Sequence, residues 1–237
     1  HLRKGSFNRR LGPLTDGASL PVVDRPDVTA WPDRPRRVFG ERALVTGAAG
    51  FVGGHLVRAL HAAGLSVRAL VRAAAQRPAD WPDDVELAVG DVRDAEAVDR
   101  AVRGCHVVCH LAALSRGSAP RHEYWNVNVT GTQHVLAACA RRQVARLVHC
   151  STMGVHGSVR QVPADEQAPF APGDDAQRSK LLAEQAVWRW HALTQIPTTV
   201  VRPADVYGPG DRRFLKLFRS IHGGSFVMLG RGRTWCH

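Results

Sequence analysis

Three glycines at three-residue intervals, Gly47, Gly50 and Gly53, interrupt the run Ala43-Leu-Val-Thr-Gly-Ala-Ala-Gly-Phe-Val-Gly-Gly-His-Leu-Val57. The chemistry this spacing can do is to hold a pyrophosphate. An apolar run that breaks into glycines and resumes with helical periodicity reads as the strand, phosphate loop and first helix of a nucleotide-binding βαβ unit. Gly47 lets the chain leave the strand in a tight turn, Gly50 lets a pyrophosphate approach the main chain, and Gly53 lets the helix sit close to the sheet. The N–H groups left over at the helix start then face the anionic phosphates. A G-x-x-G-x-x-G spacing also arises for steric reasons alone, so its meaning depends on the residues downstream.

Arg72 follows the second apolar run, Ser66–Val71, with Arg68 inside that run. In dinucleotide folds an acidic residue about 20 positions beyond the glycines holds the adenosine ribose, whereas an Arg there accommodates a 2′-phosphate. Arg72 therefore leans the cofactor from NAD towards NADP. Val85–Val89 runs into Gly90-Asp91-Val92-Arg93-Asp94. The Asp91 carboxylate at that strand end can accept from an adenine amino group, while Asp94 is read as the cap of the next helix. After His106–Leu111, the small side chains of Ala112 and Ala113 let a ligand lie against the backbone. The run Cys105-His-Val-Val-Cys109-His110 has one residue too many for a C-x-x-C-H haem attachment, and its thiols sit in a strand pattern, so no metal site is expected.

These residues need a scaffold that brings strand ends together. The first helix is expected to run through Ala59 and Leu60 to Ala63 and to stop at Gly64; further helices are expected over Tyr124–Ala140 and from about Gln177 to Leu193. Two more strands, Arg146–Cys150 and Thr198–Arg202, complete an alternation that implies a doubly wound α/β domain, a parallel sheet with helices on both faces. Ligands bind such sheets in the crevice at the carboxyl ends of the strands. Residues 1–41, with Arg25-Pro26, Trp31-Pro32 and Arg34-Pro-Arg-Arg37, read as a flexible, basic, Pro-rich extension, and residues 42–237 as the folded domain.

With 237 residues, 44% of them hydrophobic, the chain can build one core and needs no second full domain. The 32 basic residues exceed the 21 acidic ones, but Arg is scattered through every segment, so a solvated surface favourable to anionic cofactors is expected rather than a nucleic-acid partner. Five irregularly spaced cysteines fit a reducing compartment better than a disulfide framework. Without an apolar run long enough for a bilayer or a signal-peptide core at the start, the chain is expected to be cytoplasmic and free of membrane contacts.

Thr46-Gly-Ala-Ala-Gly-Phe-Val-Gly53, Gly90-Asp91, His110-Leu-Ala-Ala113, Asn128-Val-Thr-Gly-Thr132, Ser151-Thr152, Ser179-Lys180, and Arg202-Pro203 through Tyr207-Gly-Pro-Gly210 occur in this order. Together they resemble the extended short-chain dehydrogenase/reductases, specifically the NAD-dependent epimerase/dehydratase family, over about Arg42 to His237. The resemblance implies a Rossmann-type fold and hydride transfer on a nucleotide sugar or related hydroxy or keto substrate, and it allows a homodimer. It puts Phe51 and Val52 on the pyrophosphate, Asp91 and Val92 by the adenine, Leu111, Ala112 and Ala113 beside the cofactor backbone, and Pro203 in the cofactor site. Asn128 becomes a positioning residue, Thr152 the hydroxyl that bonds the reacting oxygen, and Lys180 the group that holds the nicotinamide ribose and lowers a neighbouring phenol's pKa.

Two departures stand out. The family's Tyr-x-x-x-Lys requires Tyr at position 176, and this chain reads Ala176-Gln-Arg-Ser-Lys180. An alanine cannot relay a proton, which leaves an impaired enzyme, a homologue reduced to a cofactor-binding module, or one in which Asp174, Asp175 or His156 substitutes. The second is the end, Gly230-Arg-Gly-Arg-Thr-Trp-Cys-His237, where the family's smaller substrate lobe is only approached. Trp235-Cys236-His237 there lacks an Arg-Asp pair common in nucleotide-sugar enzymes, which keeps hydroxysteroid-like and flavonoid-like reductases as the alternative.

Overall fold

The computed structural model describes residues 41–115, 119–159, 164–211 and 214–225. The expectations for residues 1–40 and 230–237 lie outside them.

The apolar runs form six strands: β1 (Arg42–Thr46), β2 (Ser66–Val71), β3 (Glu86–Val89), β4 (Val107–His110), β5 (Arg146–Cys150) and β6 (Thr198–Val201). All pairings are parallel, in the order β3-β2-β1-β4-β5-β6. The order reverses between β1 and β4, so Gly47 and Leu111 leave adjacent strands in opposite directions and open the crevice where such sheets bind ligands. Alternate residues of each strand enter two cores. Leu44, Leu70, Val108 and Leu147 pack with Val98, Val135, Leu136 and Trp190 on one face. Val45, Ala69, Val71 and Cys109 pack with Val57 and Trp81 on the other. Burial on both faces is why these strands are apolar runs rather than alternating ones.

The helices are α1 (Phe51–Ala62), α2 (Ala95–Val102), α3 (Arg121–Tyr124), α4 (Gly131–Arg142), α5 (Asp175–Thr194) and α6 (Leu215–His222). Asp94 caps α2 as expected, accepting from the N–H groups of Glu96 and Ala97 at 2.9 and 3.1 Å. The single helix expected over Tyr124–Ala140 is instead α3 and α4 joined by a π-helical turn, Trp125–Thr130. The inserted residue shifts the face on which Asn128 emerges, and such turns recur at functional sites. The short helix α6, absent from the sequence expectation, carries exposed Phe218 and Ile221 beside a cluster of Tyr207, Phe214 and Phe218 rings. No helix among the described residues is long and apolar enough to cross a membrane.

Candidate functional site

The glycine loop has the geometry its spacing requires, though the three glycines divide the work unequally. Gly47 has φ +66°, and a Cβ on it would lie 2.7 Å from the Ala112 nitrogen. A Cβ on Gly53 would stand 2.2 Å from the Gly47 carbonyl oxygen. Both positions are closed by the fold itself. Gly50 is open: its one close neighbour would be the Gly47 oxygen at 3.1 Å. As N-cap of α1, Gly50 supplies no side chain to the helix start, and the first turn holds no acidic residue. The positive end of the α1 dipole thus faces the crevice with neither an N-cap side chain nor an acidic residue in its own first turn, where an anion can complete it.

Across the switch point, Thr46 ties the ends of β1 and β4 together. Its oxygen accepts from the N–H groups of Leu111 and Ala112 at 3.2 and 3.1 Å. Its hydroxyl proton then serves His110 Nδ1 at 2.8 Å, and His110 Nε2–H donates to Thr132 Oγ1 at 2.9 Å. This order of donors makes His110 a neutral imidazole, and burial pushes it down to about 3. Asn128 extends the scaffold. It accepts from the Leu114 N–H at 2.7 Å and donates to the Leu114 carbonyl at 2.9 Å and to Ser179 Oγ at 2.8 Å. The π-turn residue therefore clamps the loop after β4 to α5.

A cavity of about 510 Å³ at the carboxyl edge gathers most of the residues singled out in the sequence. Gly47, Gly50, Phe51, Val52 and Gly53 line one side, with Leu111 and Ala113 from the loop after β4. Thr152, Ala176, Lys180 and Pro203 line the other. Thr152 Oγ1 accepts from the Gly154 N–H at 3.1 Å, leaving its hydroxyl proton for another acceptor. Lys180 Nζ donates to the Cys150 carbonyl at 2.5 Å, and burial lowers it from 10.5 to about 8. Ala176 stands one helical turn before Lys180 on the same face of α5.

Four of the residues expected to bind the cofactor lie outside that cavity. Ala112 packs against the core, and Val92 is buried against Gly131. Asp91 is held in a two-point contact by Arg93, at 3.0 and 2.9 Å, which keeps its carboxyl below the usual range. Arg72 is exposed at the end of β2, and its backbone N–H, not its guanidinium, is engaged by Gln76. Arg68, its neighbour in β2, does not reinforce it: Arg68 is buried and committed to Glu86 and to the carbonyls of Ala101 and Arg103.

The structure also removes two of the three substitutes considered for the missing tyrosine. His156 is 2% exposed, with Nδ1 donating to the Pro169 carbonyl and Nε2 accepting from Arg202, both at 3.2 Å. Arg202 in turn pairs with fully buried Glu184, whose carboxyl it holds below the ordinary value. Asp175 approaches Arg121 at 3.9 Å and does not line the cavity. Asp174 does line it, and caps α5 through the Gln177 N–H at 2.7 Å.

His149 on β5 is fully buried, 5.4 Å from His110 ring to ring, and neither of its nitrogens has a hydrogen-bond partner among the described residues. Burial holds it well below 6.5. The unfolded chain binds protons at both histidines near 6.5 and the fold does not, so stability is full above that pH and falls as pH drops towards 3. Each histidine adds a slope of up to about 1.4 kcal/mol per pH unit. His149→Phe should therefore raise stability at neutral pH by about 1 kcal/mol, removing an unpaired buried polar ring, and should flatten the acid limb. Urea titrations at neutral and mildly acid pH check it; an unchanged limb would mean that His149 is protonated or solvated in the fold.

Residues 43–237 match the NAD dependent epimerase/dehydratase family. The chain is 38% identical over 182 residues to a protein named Sterol demethylase protein B from Methylococcus capsulatus, covering 75% of this chain and 55% of that one. It is 36% identical to a 3 beta-hydroxysteroid dehydrogenase/Delta 5-->4-isomerase of Mycobacterium tuberculosis, covering 80% of this chain and 54% of that one. Among solved structures, Thermus thermophilus UDP-glucose 4-epimerase in complex with NAD superposes with a TM-score of 0.66 at 32% identity, over 72% of this chain and 57% of that one. The chain spans about half the length of the curated relatives it matches. With a matched segment this long and a six-stranded parallel sheet that carries its glycine loop at the switch point, the chain belongs to the NAD dependent epimerase/dehydratase family, within the extended short-chain dehydrogenase/reductases.

Proposed function

We propose that this chain binds NAD or NADP across the β1/β4 crevice and serves an epimerase- or dehydratase-type hydride transfer on a nucleotide sugar or related hydroxy or keto substrate. The observation that carries the reading is the single cavity shared by the start of α1, Thr152 and Lys180. A dinucleotide fits these residues: Gly50 at the helix N-cap brings no side chain to where a pyrophosphate would sit, and a side chain there would occupy the approach. Phe51 and Val52 would lie against the pyrophosphate, Leu111 and Ala113 along the cofactor, Pro203 at the far wall, and Lys180 would hold the nicotinamide ribose. When bound, the nicotinamide supplies the acceptor and donor of hydride. Thr152, whose hydroxyl proton is not used in its bond from Gly154, would donate to the reacting oxygen.

Asp91 is the proposed adenine acceptor, sharing its carboxylate between the base and Arg93, and Arg72 is the proposed 2′-phosphate ligand. A guanidinium at the end of β2 can make charge-assisted, two-point bonds that an unphosphorylated ribose does not offer. Arg72→Asp is expected to weaken NADP binding at least tenfold more than NAD binding, corresponding to about 1.4 kcal/mol. Calorimetry with both dinucleotides measures the ratio; if it does not move, Arg72 is a surface residue.

The identities to a sterol demethylase component and a hydroxysteroid dehydrogenase favour a second reading, net oxidation or reduction of a hydroxysteroid-like substrate. Solution turnover separates the two. An epimerase or dehydratase returns its cofactor within each cycle, whereas UDP-glucose left unchanged and NAD(P)H accumulating with a 3β-hydroxysteroid would support the second.

A further inference from the structure

Position 176 presents a methyl group to the cavity where a proton carrier is needed, and the side chains around it narrow the choice of carrier. His156 commits both nitrogens to Pro169 and Arg202, and Asp175 faces Arg121 away from the cavity. Thr152 is a hydrogen-bonding hydroxyl, not a group that stores a proton near neutral pH. Lys180 remains. It lines the cavity with Thr152 and Ala176, and one of its amine protons is directed at the Cys150 carbonyl. No carboxylate among the described residues is bonded to it, because Glu184, one turn further along α5, is engaged by Arg202.

We infer that Lys180 is itself the acid and base of this site, exchanging a proton with the substrate oxygen through a water held in the space beside Ala176. The inference rests on the hydride-transfer reading above. In the oxidative direction the substrate O–H bond breaks and its proton passes to the water, while a proton of that water forms the new N–H bond on the Nζ lone pair. The electrons of the broken O–H bond become the second C=O bond, and the C–H pair leaves as the hydride destined for the bound nicotinamide. In the reverse direction the ammonium returns the proton. Neutral amine is needed for the first direction, and burial makes it accessible by holding Lys180 at about 8 rather than 10.5. Among the described residues, the titratable groups that act on Lys180 are Cys150 and His149 on β5, His110 on β4 and Glu184 on its own helix, and Asp174 and Asp205 line the same cavity. Both histidines stay neutral throughout, and burial pushes the Cys150 thiol up, so none of the three titrates in the window that Lys180 uses.

Two measurements test this. In the first, trace acetylation of the intact chain across a pH series, read peptide by peptide by mass spectrometry, reports when each lysine loses its proton. Lys180 should become reactive with a midpoint near 8, well below exposed Lys216; a midpoint in the ordinary lysine range overturns the inference. The second follows single-turnover hydride transfer at saturating dinucleotide, with UDP-glucose and a 3β-hydroxysteroid as probes. The oxidative rate should rise with pH through the same midpoint. Lys180→Arg keeps a cation for the ribose but has no neutral form in this range, so the rise should vanish and the rate fall at least tenfold. Asp174→Asn, which keeps the α5 cap, should retain the rise. In the Ala176→Tyr background the phenol takes over the proton, and Lys180→Arg should cost less than it does in the native chain. A rise that survives in Lys180→Arg, or that disappears in Asp174→Asn, overturns the inference. Failure to bind either dinucleotide strikes the underlying functional reading instead, and calorimetry detects it separately.

Discussion

Gly50→Val is expected to abolish dinucleotide binding while the fold remains formed. The three glycines have different roles in the sequence pattern, and the structure separates them by how much room each leaves for a side chain. At Gly47 a side chain meets the backbone of Ala112 in a left-handed conformation, and at Gly53 it meets the Gly47 carbonyl at 2.2 Å, so substitutions there damage folding and binding together. Gly50 has φ −76° and ψ 170°, a region open to any residue, and only the Gly47 oxygen stands near its missing side chain, at 3.1 Å. The valine methyls would then project over the start of α1, where the pyrophosphate is expected to meet the leading N–H groups. Loss of those charge-assisted bonds and steric exclusion of the pyrophosphate should together reduce affinity by at least about a thousandfold, roughly 4 kcal/mol. Calorimetry with NAD and NADP measures the affinity, and circular dichroism with a thermal melt reports the fold. An affinity within tenfold of the native chain would remove the phosphate-loop assignment.

That contrast shows how far the residues speak for themselves. Strands β2 and β5 have the bounds their runs imply, because burial keeps most of their positions apolar between turn residues. The Asp94 cap is equally legible, since its side chain bonds only its own neighbours. The π-turn at Trp125–Thr130 is not: one added residue in a helical ladder leaves the composition of the segment unchanged, and the bonds Asn128 makes from it go to Leu114 and Ser179, distant in sequence. Arg68 misleads for a related reason. It stands close before Arg72 in the sequence, yet it is buried, where Glu86 and two carbonyls satisfy it. The buried pair Glu184–Arg202 and the doubly unpaired His149 are equally silent, because their partners, or lack of them among the described residues, come from other elements. At the candidate site, Thr152 and Lys180 are legible through the family motif. The Cys150 carbonyl that holds the amine is not, since a backbone acceptor leaves no mark on the residue that carries it.

Restoring a phenol at position 176 is expected to give the other large effect. A Tyr there would lie one turn before Lys180 on the cavity face of α5, with Thr152 approaching from the end of β5. The Lys180 ammonium would lower the phenol's pKa, and the phenol would bring its oxygen to the substrate directly, without the intervening water and its ordering cost. A positioned acid–base group is worth about 10²–10⁴-fold, so Ala176→Tyr should accelerate single-turnover hydride transfer by about that factor. Ala176→Phe is the paired control. It fills the same space and excludes the water while offering no proton, so it should be slower than the native chain. Its dinucleotide affinity, measured alongside, separates a blocked cavity from a lost relay. Equal rates for the native chain and Ala176→Tyr would show that this helix face does not meet the reacting oxygen, and the register of α5 against the cavity would have to be redrawn. A chain that binds dinucleotide tightly and transfers no hydride in either form would instead be a binding module, with Ala176 the mark of an abandoned reaction.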